Sequence, residues 1–280
     1  MQDWLIQYGE EFQVYLFFAL LCSLLIIERF LPKRRPPESQ INRWRTNAAL
    51  SILAILTLPV LPLSFISAAW WAEAQGFGLL NLSGTQLPDW VLVGATLASR
   101  SFVSYATHWL NHKVPFLWRI HRVHHLDTEL DVSSTVRFHP LEMPVSLMIG
   151  LPVILLLGLS PWVLILYELM DVGVTLFSHS NLRIHHKIDR FLRYLIVTPD
   201  LHKVHHSTIE AETNSNYSAV LPIWDIVLGT FRTNTQAPLD VMRLGLEEVR
   251  GAKANNFWWL LRSPFVTLPH QTKPQVQVLS

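Results

Sequence analysis

The long apolar run at residues 12–32 is the feature that most limits what this chain can fold into. Its sequence, FQVYLFFALLCSLLIIERFLP, is long enough to cross a hydrocarbon core about 30 Å thick. Half of the 280 residues are hydrophobic and only 15% are charged, which is typical of membrane proteins. The net charge of +1 gives no indication of nucleic-acid binding. The single cysteine, Cys22, lies within the run and excludes a disulfide framework or a thiolate metal site.

Three further apolar segments follow, at 46–71, 89–112 and 143–178. The last predicts a hairpin of two helices broken at GLSP, because Gly158 and Pro161 both interrupt a helix. We therefore expect one membrane-embedded, all-α domain over residues 1–280. It should contain about four transmembrane helices, two of which form the broken hairpin.

Charged residues in and beside these segments set the expected orientation. The densest basic cluster, at 33–45, is expected to be cytoplasmic under the positive-inside rule. The parity of the spans then brings the histidine-rich segments to the same face. Arg100 is the only charged residue inside the third segment, so it must reach the interface or face the protein interior. Glu168 and Asp171 lie in an apolar segment, where they either pair with Arg100 or cap the hairpin.

The pattern His-x-x-His-His occurs twice, as IHRVHH at 120–125 and as LHKVHH at 201–206. Positions i, i+3 and i+4 of a helix share a face, so each triplet is expected to converge on one point. With 13 histidines in 280 residues, chance would produce the pattern roughly 0.03 times, so composition does not explain it. HWLNH at 108–112 adds an i, i+4 pair, and His179 adds a ninth histidine.

Nine candidate ligands exceed the capacity of one metal and suit two adjacent metals with four or five imidazoles each. Imidazole alone does not select among zinc, copper, iron and nickel. A structural zinc needs only four ligands and is usually closed by thiolates. Nine histidines at a membrane surface instead indicate a redox-active pair of irons that activates dioxygen beside a lipid C–H bond.

These motifs together resemble the fatty acid hydroxylase / sterol desaturase superfamily of integral-membrane di-iron oxidases. The resemblance covers roughly residues 90–235 and rests on HWLNH, LWRIHRVHH, VRFHPLE, FSHSN, TPDLHKVHHS and TNSNYSAVLPIWDIVLGTFR. It implies four transmembrane helices under a cytosolic, metal-binding helical cap, formed here by 108–142 and 179–235. Residues 236–280 would be a variable interfacial tail. One departure is NSNYS, where many members have Asn-Tyr-Gly.

The resemblance also implies a set of site residues. The implied metal ligands are His108, His112, His121, His124, His125, His179, His202, His205 and His206. His139 is a further candidate ligand. For His139 and His179 the alternative is capping or a backbone hydrogen bond. The remaining histidines, His185, His186 and His270, fit no ligand position and are expected to be polar boundary residues.

Carboxylates and a closing motif complete the predicted site. Asp127, with Glu129 and Asp131, is expected either to orient an imidazole or to belong to a solvated acidic loop. Asn214 belongs to the closing motif, which is expected to tie a loop back over the metal-binding helices. The other predicted supporting residues are Asn181 and Asp200, and, within the closing motif, Asn216, Tyr217, Trp224 and Asp225.

The sequence thus predicts an O₂-dependent di-iron lipid hydroxylase, with two Fe ions as cofactor and O₂ as co-substrate. Zinc is expected to be able to occupy the same site in purified protein. A desaturase on the same centre is the near alternative; a haem protein that passes electrons and a zinc transporter or storage protein are more distant ones. The expected partners are a bilayer lipid and an external reductase with a cytochrome or ferredoxin, because no flavin or nicotinamide motif is visible. QVQVLS carries no endoplasmic-reticulum retention signal, which favours a bacterial inner membrane.

Overall fold

The computed structural model describes residues 2–36, 40–57, 61, 63–82 and 87–268. These residues form helices joined by loops, with two isolated antiparallel bridges and no strand, so the all-α prediction is confirmed for this part of the chain. The α-helices are α1 (Gln2–Phe30), α2 (Ile41–Thr57), α3 (Phe65–Ala74), α4 (Asp89–Lys113), α5 (Pro115–His125), α6 (Glu142–Leu157), α7 (Pro161–His179), α8 (His186–Leu192), α9 (Pro199–His205), α10 (Glu210–Thr213), α11 (Ile223–Val227) and α12 (Phe257–Arg262).

The long helices pack side by side. The first, α1, lies along α7, while α4 contacts α6 and α7, and α3 packs on the same two helices. Within the described residues, α1 and α7 have the length and apolar composition of a membrane span, and α6 is a shorter apolar helix. Two of the predicted spans therefore have structural support, and the count of about four remains a prediction.

The segment 46–71, predicted as one membrane helix, is two helices in the structure. One of them, α2, starts earlier, at Ile41, and ends at Thr57, and α3 starts at Phe65. The sequence between them contains Pro59 and Pro62, and proline favours a break or kink because it lacks an N–H and clashes with the preceding turn. Ser64 then caps α3 by accepting a hydrogen bond from the Ser67 N–H.

The break predicted at GLSP is confirmed. The helix α6 ends at Leu157, Gly158 follows with a φ of 65°, and α7 begins at Pro161. Proline suits the first turn of α7, where its missing N–H would have no helical partner. A Cβ on Gly158 would lie 2.7 Å from the Phe77 carbonyl oxygen, so both the backbone conformation and the close approach require glycine.

The segment after residue 235 is more than the predicted tail. Val249, Ala254 and Leu260 are buried against Leu50 of α2 and Val123 of α5. Polar contacts add to this packing, because the fully buried Arg137 donates to the Ala254 carbonyl and Arg122 donates to the Ser263 and Val266 carbonyls. Residues 236–268 therefore cover the histidine-bearing helix α5. This packing could not be read from the sequence, since the contacting residues are scattered and form no periodic stripe. Residues 269–280, including His270, lie outside the described part.

Candidate metal centre

Four helices bring the nine predicted histidines together at one end of the long-helix layer. They are the C-terminal ends of α4 and α5, the last residue of α7, and α9 with His206, which follows it directly. Each short helix has a local start signal. Pro115 opens α5, while α9 begins at Pro199 after Thr198, whose side chain accepts a hydrogen bond from the Leu201 N–H.

The histidines form two groups, in each of which the candidate ligand nitrogens all lie within 4.8 Å of one another. We call them the five-histidine group and the four-histidine group. They are adjacent, since the His125 and His206 rings are stacked across them with centroids 4.6 Å apart. The first group contains His108, His112, His121, His125 and His205, and the second contains His124, His179, His202 and His206.

The sequence pattern predicted that each triplet converges on one point, and this prediction is wrong. His121 and His125 belong to the five-histidine group, but His124 between them belongs to the other. In the second triplet the assignment is reversed, so His205 joins the five-histidine group while its neighbours join the four-histidine group. At 3.6 residues per turn, i and i+4 are about 40° apart around the helix, and i+3 lies about 100° from i+4. Each triplet therefore supplies both groups.

In the five-histidine group, backbone carbonyls fix two of the rings. The Nδ1 of His108 is 2.7 Å from the Tyr217 carbonyl oxygen, and the Nδ1 of His205 is 2.7 Å from the Ser215 carbonyl oxygen. Because a carbonyl only accepts, each Nδ1 must carry the proton and donate. The opposite nitrogen of each neutral ring, Nε2, is then unprotonated and carries a free lone pair.

A third ring of this group is fixed by Glu142, a residue that the sequence analysis did not single out. The Nδ1 of the buried His121 is 2.6 Å from Glu142 Oε1. A carboxylate on the far nitrogen of a ligating imidazole sets the ring orientation and raises its basicity. The VRFHPLE motif ends in this glutamate, so the motif carried the signal, but its spacing gave no reason to join Glu142 to His121.

Asp127, which was predicted to orient an imidazole or to be solvated, does neither. It is buried, and its Oδ2 accepts hydrogen bonds from Arg43, Asn47 and Ser134. Burial alone would raise the pKa of Asp127, but the positive charges of Arg43 and Arg137 hold it below its ordinary value. Asp127 therefore ties the end of α5 to α2.

The four-histidine group is fixed less tightly. The Nδ1 of His179 is 2.7 Å from the Thr175 carbonyl oxygen of its own helix, and the Nδ1 of His124 is 3.3 Å from the Arg137 carbonyl oxygen. The buried Nδ1 atoms of His202 and His206 have no partner among the described residues. Two of the four imidazoles thus lack an anchor on the far side of the ring.

Burial keeps these imidazoles neutral. It lowers the pKa of His205 to about 3, and burial together with the neighbouring imidazoles lowers the pKa of His124, His125, His202 and His206 below the ordinary value. Neutral rings are the form that binds metal, so these residues are ready to act as ligands at neutral pH.

The loop at 214–230 closes over the rings. Asn216 has a φ of 54° and bonds through its side chain to the Leu201 and Arg232 backbones, and Asp225 accepts from the Tyr217 and Ser218 N–H groups. This holds the Tyr217 carbonyl on His108, and the Tyr217 ring lies 5.1 Å from the His112 ring.

The other predicted supporting residues connect the segments around the histidine groups to neighbouring parts of the chain. Trp224 donates to Ser101 Oγ of α4 at 2.9 Å. Asn181 bonds to the backbone of Arg34 through both of its side-chain atoms, and Asp200 forms an ion pair with Lys33 at 2.9 Å. None of these side chains forms a described hydrogen bond with a histidine ring.

His139, the further candidate ligand, lies outside both groups. Its Nε2 is 3.2 Å from the Leu261 carbonyl oxygen and its Nδ1 accepts from the Leu141 N–H. Both ring nitrogens are thus used by the backbone, which is the alternative that the sequence left open. The exposed pair His185 and His186 begins α8, where His185 accepts from the Lys187 N–H.

The donor set fits metal ions. In the four-histidine group, three Nε2 to Nε2 distances are 3.0–3.2 Å, and in the five-histidine group His108 and His121 are 3.1 Å apart in the same way. The buried Nε2 atoms of His112, His125 and His205 have no partner. Facing lone pairs repel unless a cation lies between them. Two nitrogens about 2.1 Å from one metal, about 90–100° apart, would be separated by about 3.0–3.2 Å.

A cavity of about 230 Å³, which we call the central cavity, reaches both groups. It is lined by His108 and His121 from one group and by His124, His179 and His202 from the other. Two neighbouring cavities share lining residues with it. The apolar branch, about 350 Å³, lies between α1, α2 and α7, and the polar branch, about 480 Å³, extends past Arg100 and Glu168.

A model of the fatty acid hydroxylase family matches residues 93–230, the segment that contains all nine histidines. The chain belongs to the fatty acid hydroxylase / sterol desaturase superfamily. Iron dependence is general in this superfamily. The resemblance proposed from the motifs is thereby confirmed.

Several similar proteins are named hydroxylases or monooxygenases. Ornithine lipid hydroxylase OlsE of Rhizobium tropici is 35% identical over 141 residues, which are 50% of this chain and 41% of that protein. Human alkylglycerol monooxygenase is 25% identical over 79% of this chain and 47% of its own length. Human cholesterol 25-hydroxylase is 27% identical over 46% of this chain and 47% of its own length. The chain thus spans less than half the length of each of these relatives. No solved structure matches the chain.

Proposed function

We propose that this chain is an O₂-dependent di-iron hydroxylase that oxidises a C–H bond of a lipid dissolved in the membrane. The observation that carries the proposal is the convergence of nine imidazole Nε2 atoms in two adjacent groups. The five-histidine group would hold one iron and the four-histidine group the other. Two irons bound there would supply the redox chemistry that activates O₂.

The chain's own residues would position and shield the reaction. Glu142 and the carbonyls of Tyr217 and Ser215 hold three imidazoles with Nε2 inward. The apolar branch is lined mainly by hydrophobic side chains and lies beside α1 and α7, the two candidate spans. A hydrocarbon chain from the bilayer would enter by this route and exclude water from the central cavity.

The proposed reaction consumes O₂, two electrons and two protons. One oxygen atom is inserted into the lipid C–H bond to give an alcohol, and the other leaves as water. An external reductase with a cytochrome or ferredoxin would supply the electrons. The relatives named above act, by their names, on an ornithine lipid, alkylglycerols and cholesterol, so a lipid substrate is supported while its identity stays open.

Orientation and location are part of the proposal. We call the two histidine groups, together with the helices that carry them, the histidine layer. The basic residues Lys33 and Arg34, which follow α1, contact Asp200 and Met242 beside this layer. A cytoplasmic position for that layer agrees with the positive-inside rule.

A desaturase on the same centre would differ only in the product, so the test must identify the product. The full chain, purified anaerobically with iron, would be supplied with ¹⁸O₂, a reductase system and a total lipid extract, and the lipids would be analysed by mass spectrometry. We expect about two irons per chain and one ¹⁸O atom in a lipid alcohol. A new double bond without ¹⁸O would establish a desaturase instead. A single metal unaffected by His124→Ala would overturn the di-iron site.

A further inference from the structure

Asp171 of α7 lies where the three cavities meet. It lines the central cavity, the apolar branch and the polar branch, a property that it shares with Met143. The carboxylate is therefore at the junction between the histidine layer and both routes from the membrane.

The neighbouring ion pair leaves Asp171 without a partner. Arg100 Nε and Nη2 each lie 2.9 Å from Glu168 Oε1, and the guanidinium also lies over the Phe65 and Tyr167 rings. Glu168 therefore pairs with Arg100, which is one of the two roles that the sequence predicted for Glu168 and Asp171. By contrast, the Asp171 carboxylate accepts no hydrogen bond from any described residue. The Arg100 guanidinium is therefore engaged by Glu168 and the two rings and donates no hydrogen bond to Asp171.

A carboxylate at such a place is costly unless something donates to it. Donors do share these cavities with Asp171, but Arg100 donates to Glu168 Oε1 and Thr175 donates to the main-chain carbonyl of Asp171, not to its carboxylate. Charged groups in apolar segments face cavities or partners because burial without compensation is unfavourable. The Asp171 carboxylate oxygens are thus available to accept hydrogen bonds from a molecule that occupies the junction.

The position of Asp171 sets a distance to the reaction site. Asp171 is eight residues before His179 on α7, and Arg100 is eight residues before His108 on α4. At about 1.5 Å per residue both lie about 12 Å from the histidine layer along their helices, the reach of an extended hydrocarbon of about ten carbons.

We propose that Asp171 binds the hydrogen-bond-donating polar group, a hydroxyl or an ammonium, of an amphiphilic lipid whose hydrocarbon chain extends to the histidines. The Arg100–Glu168 pair holds the polar branch open behind it. The position of oxidation is then fixed by its distance from the polar group. This part rests on the proposed function, whereas binding of the polar group does not.

The test uses tritiated 1-dodecanol bound to the metal-loaded full chain in a scintillation proximity assay, with unlabelled 1-dodecanol, 1-dodecylamine and dodecane as competitors. We expect both polar competitors to displace the probe at least about tenfold more effectively than dodecane. Asp171→Leu should abolish this preference while dodecane still competes. Asp171→Asn should keep the preference for the alcohol and lose that for the amine, because the amide retains an acceptor oxygen without the charge. Asp89→Asn, at an exposed carboxylate outside these cavities, is the control.

The outcomes separate the inference from the proposed function. Retained preference in a folded, metal-loaded Asp171→Leu protein would overturn the binding site, even if the enzyme hydroxylates lipid. Should Asp171→Leu not fold, an unchanged alcohol-to-amine ratio in Asp171→Asn would overturn it equally. If oxidation occurs, 1-alkanols of ten to sixteen carbons should be oxidised at a constant distance from the hydroxyl in the wild type. A constant distance from the methyl end would contradict the distance argument.

Discussion

The two histidine groups differ in how firmly the protein holds them. Three rings of the five-histidine group have a partner for Nδ1 within 2.7 Å, on Tyr217, Ser215 and Glu142. In the four-histidine group only His179 has so short a contact, and it lies within α7 itself. The anchors of the first group come from segments outside the helix that carries the ring, so that group is set by the fold. The second depends more on the metal for its final order.

The largest effect should come from removing one ring from each group in turn. His205→Ala and His124→Ala should each lower the iron content from about two to about one per chain and reduce hydroxylation by at least about a hundredfold. Metal content would be measured by mass spectrometry on anaerobically purified protein. His186→Ala, at an exposed ring outside both groups, should retain both irons. Unchanged iron in either ligand variant would show that its group is not a metal site.

A chelator should remove the two metal ions one after the other. The four-histidine group offers four ligands against five, and its one Nδ1 contact as short as 2.7 Å lies within α7, so we expect its metal to leave first. A chelator time course followed by iron release should show two phases of about one equivalent each. His124→Ala should retain only the slow phase and His205→Ala only the fast one. Two phases that disappear in the opposite variants would reverse the comparison.

Glu142→Gln should weaken only the five-histidine group. The amide oxygen still accepts from His121 Nδ1, but the negative charge that raises the basicity of the ring is gone. We expect about 10- to 100-fold weaker binding in the slow phase, measured by competition with a chelator, and an unchanged fast phase. Glu210→Gln, at an exposed carboxylate of α10, provides the matched control. Equal weakening of both phases would indicate general loosening of the fold.

Tyr217→Phe should have the smallest effect. The hydroxyl makes one long contact, 3.3 Å to Asn214 Oδ1, whereas the Tyr217 backbone carbonyl anchors His108. The loss should be about 1 kcal/mol or less of stability, measured by thermal unfolding, with both chelation phases unchanged. A large loss of iron from this variant would mean that the side chain, rather than the backbone of the closing loop, orders the five-histidine group.

The sequence by itself determined the kind of protein and the members of the site. Apolar run lengths predicted an all-α protein, and the repeated His-x-x-His-His pattern identified rings that must meet, because helical spacing is a local property of the chain. The break between α6 and α7 was equally local, since Gly158 and Pro161 act on their own backbone.

Only the tertiary structure decided how the rings are shared and held. Helical spacing places His121, His124 and His125 near one another, but which group each ring joins depends on what packs against each side of α5. The contact of Glu142 with His121 and the role of residues 236–268 are likewise long-range. The sequence marked Asp171 as a charged residue in an apolar segment, but only the structure places its carboxylate where three cavities meet. Such features depend on distances between segments far apart in the chain, and residue spacing carries no direct record of those distances.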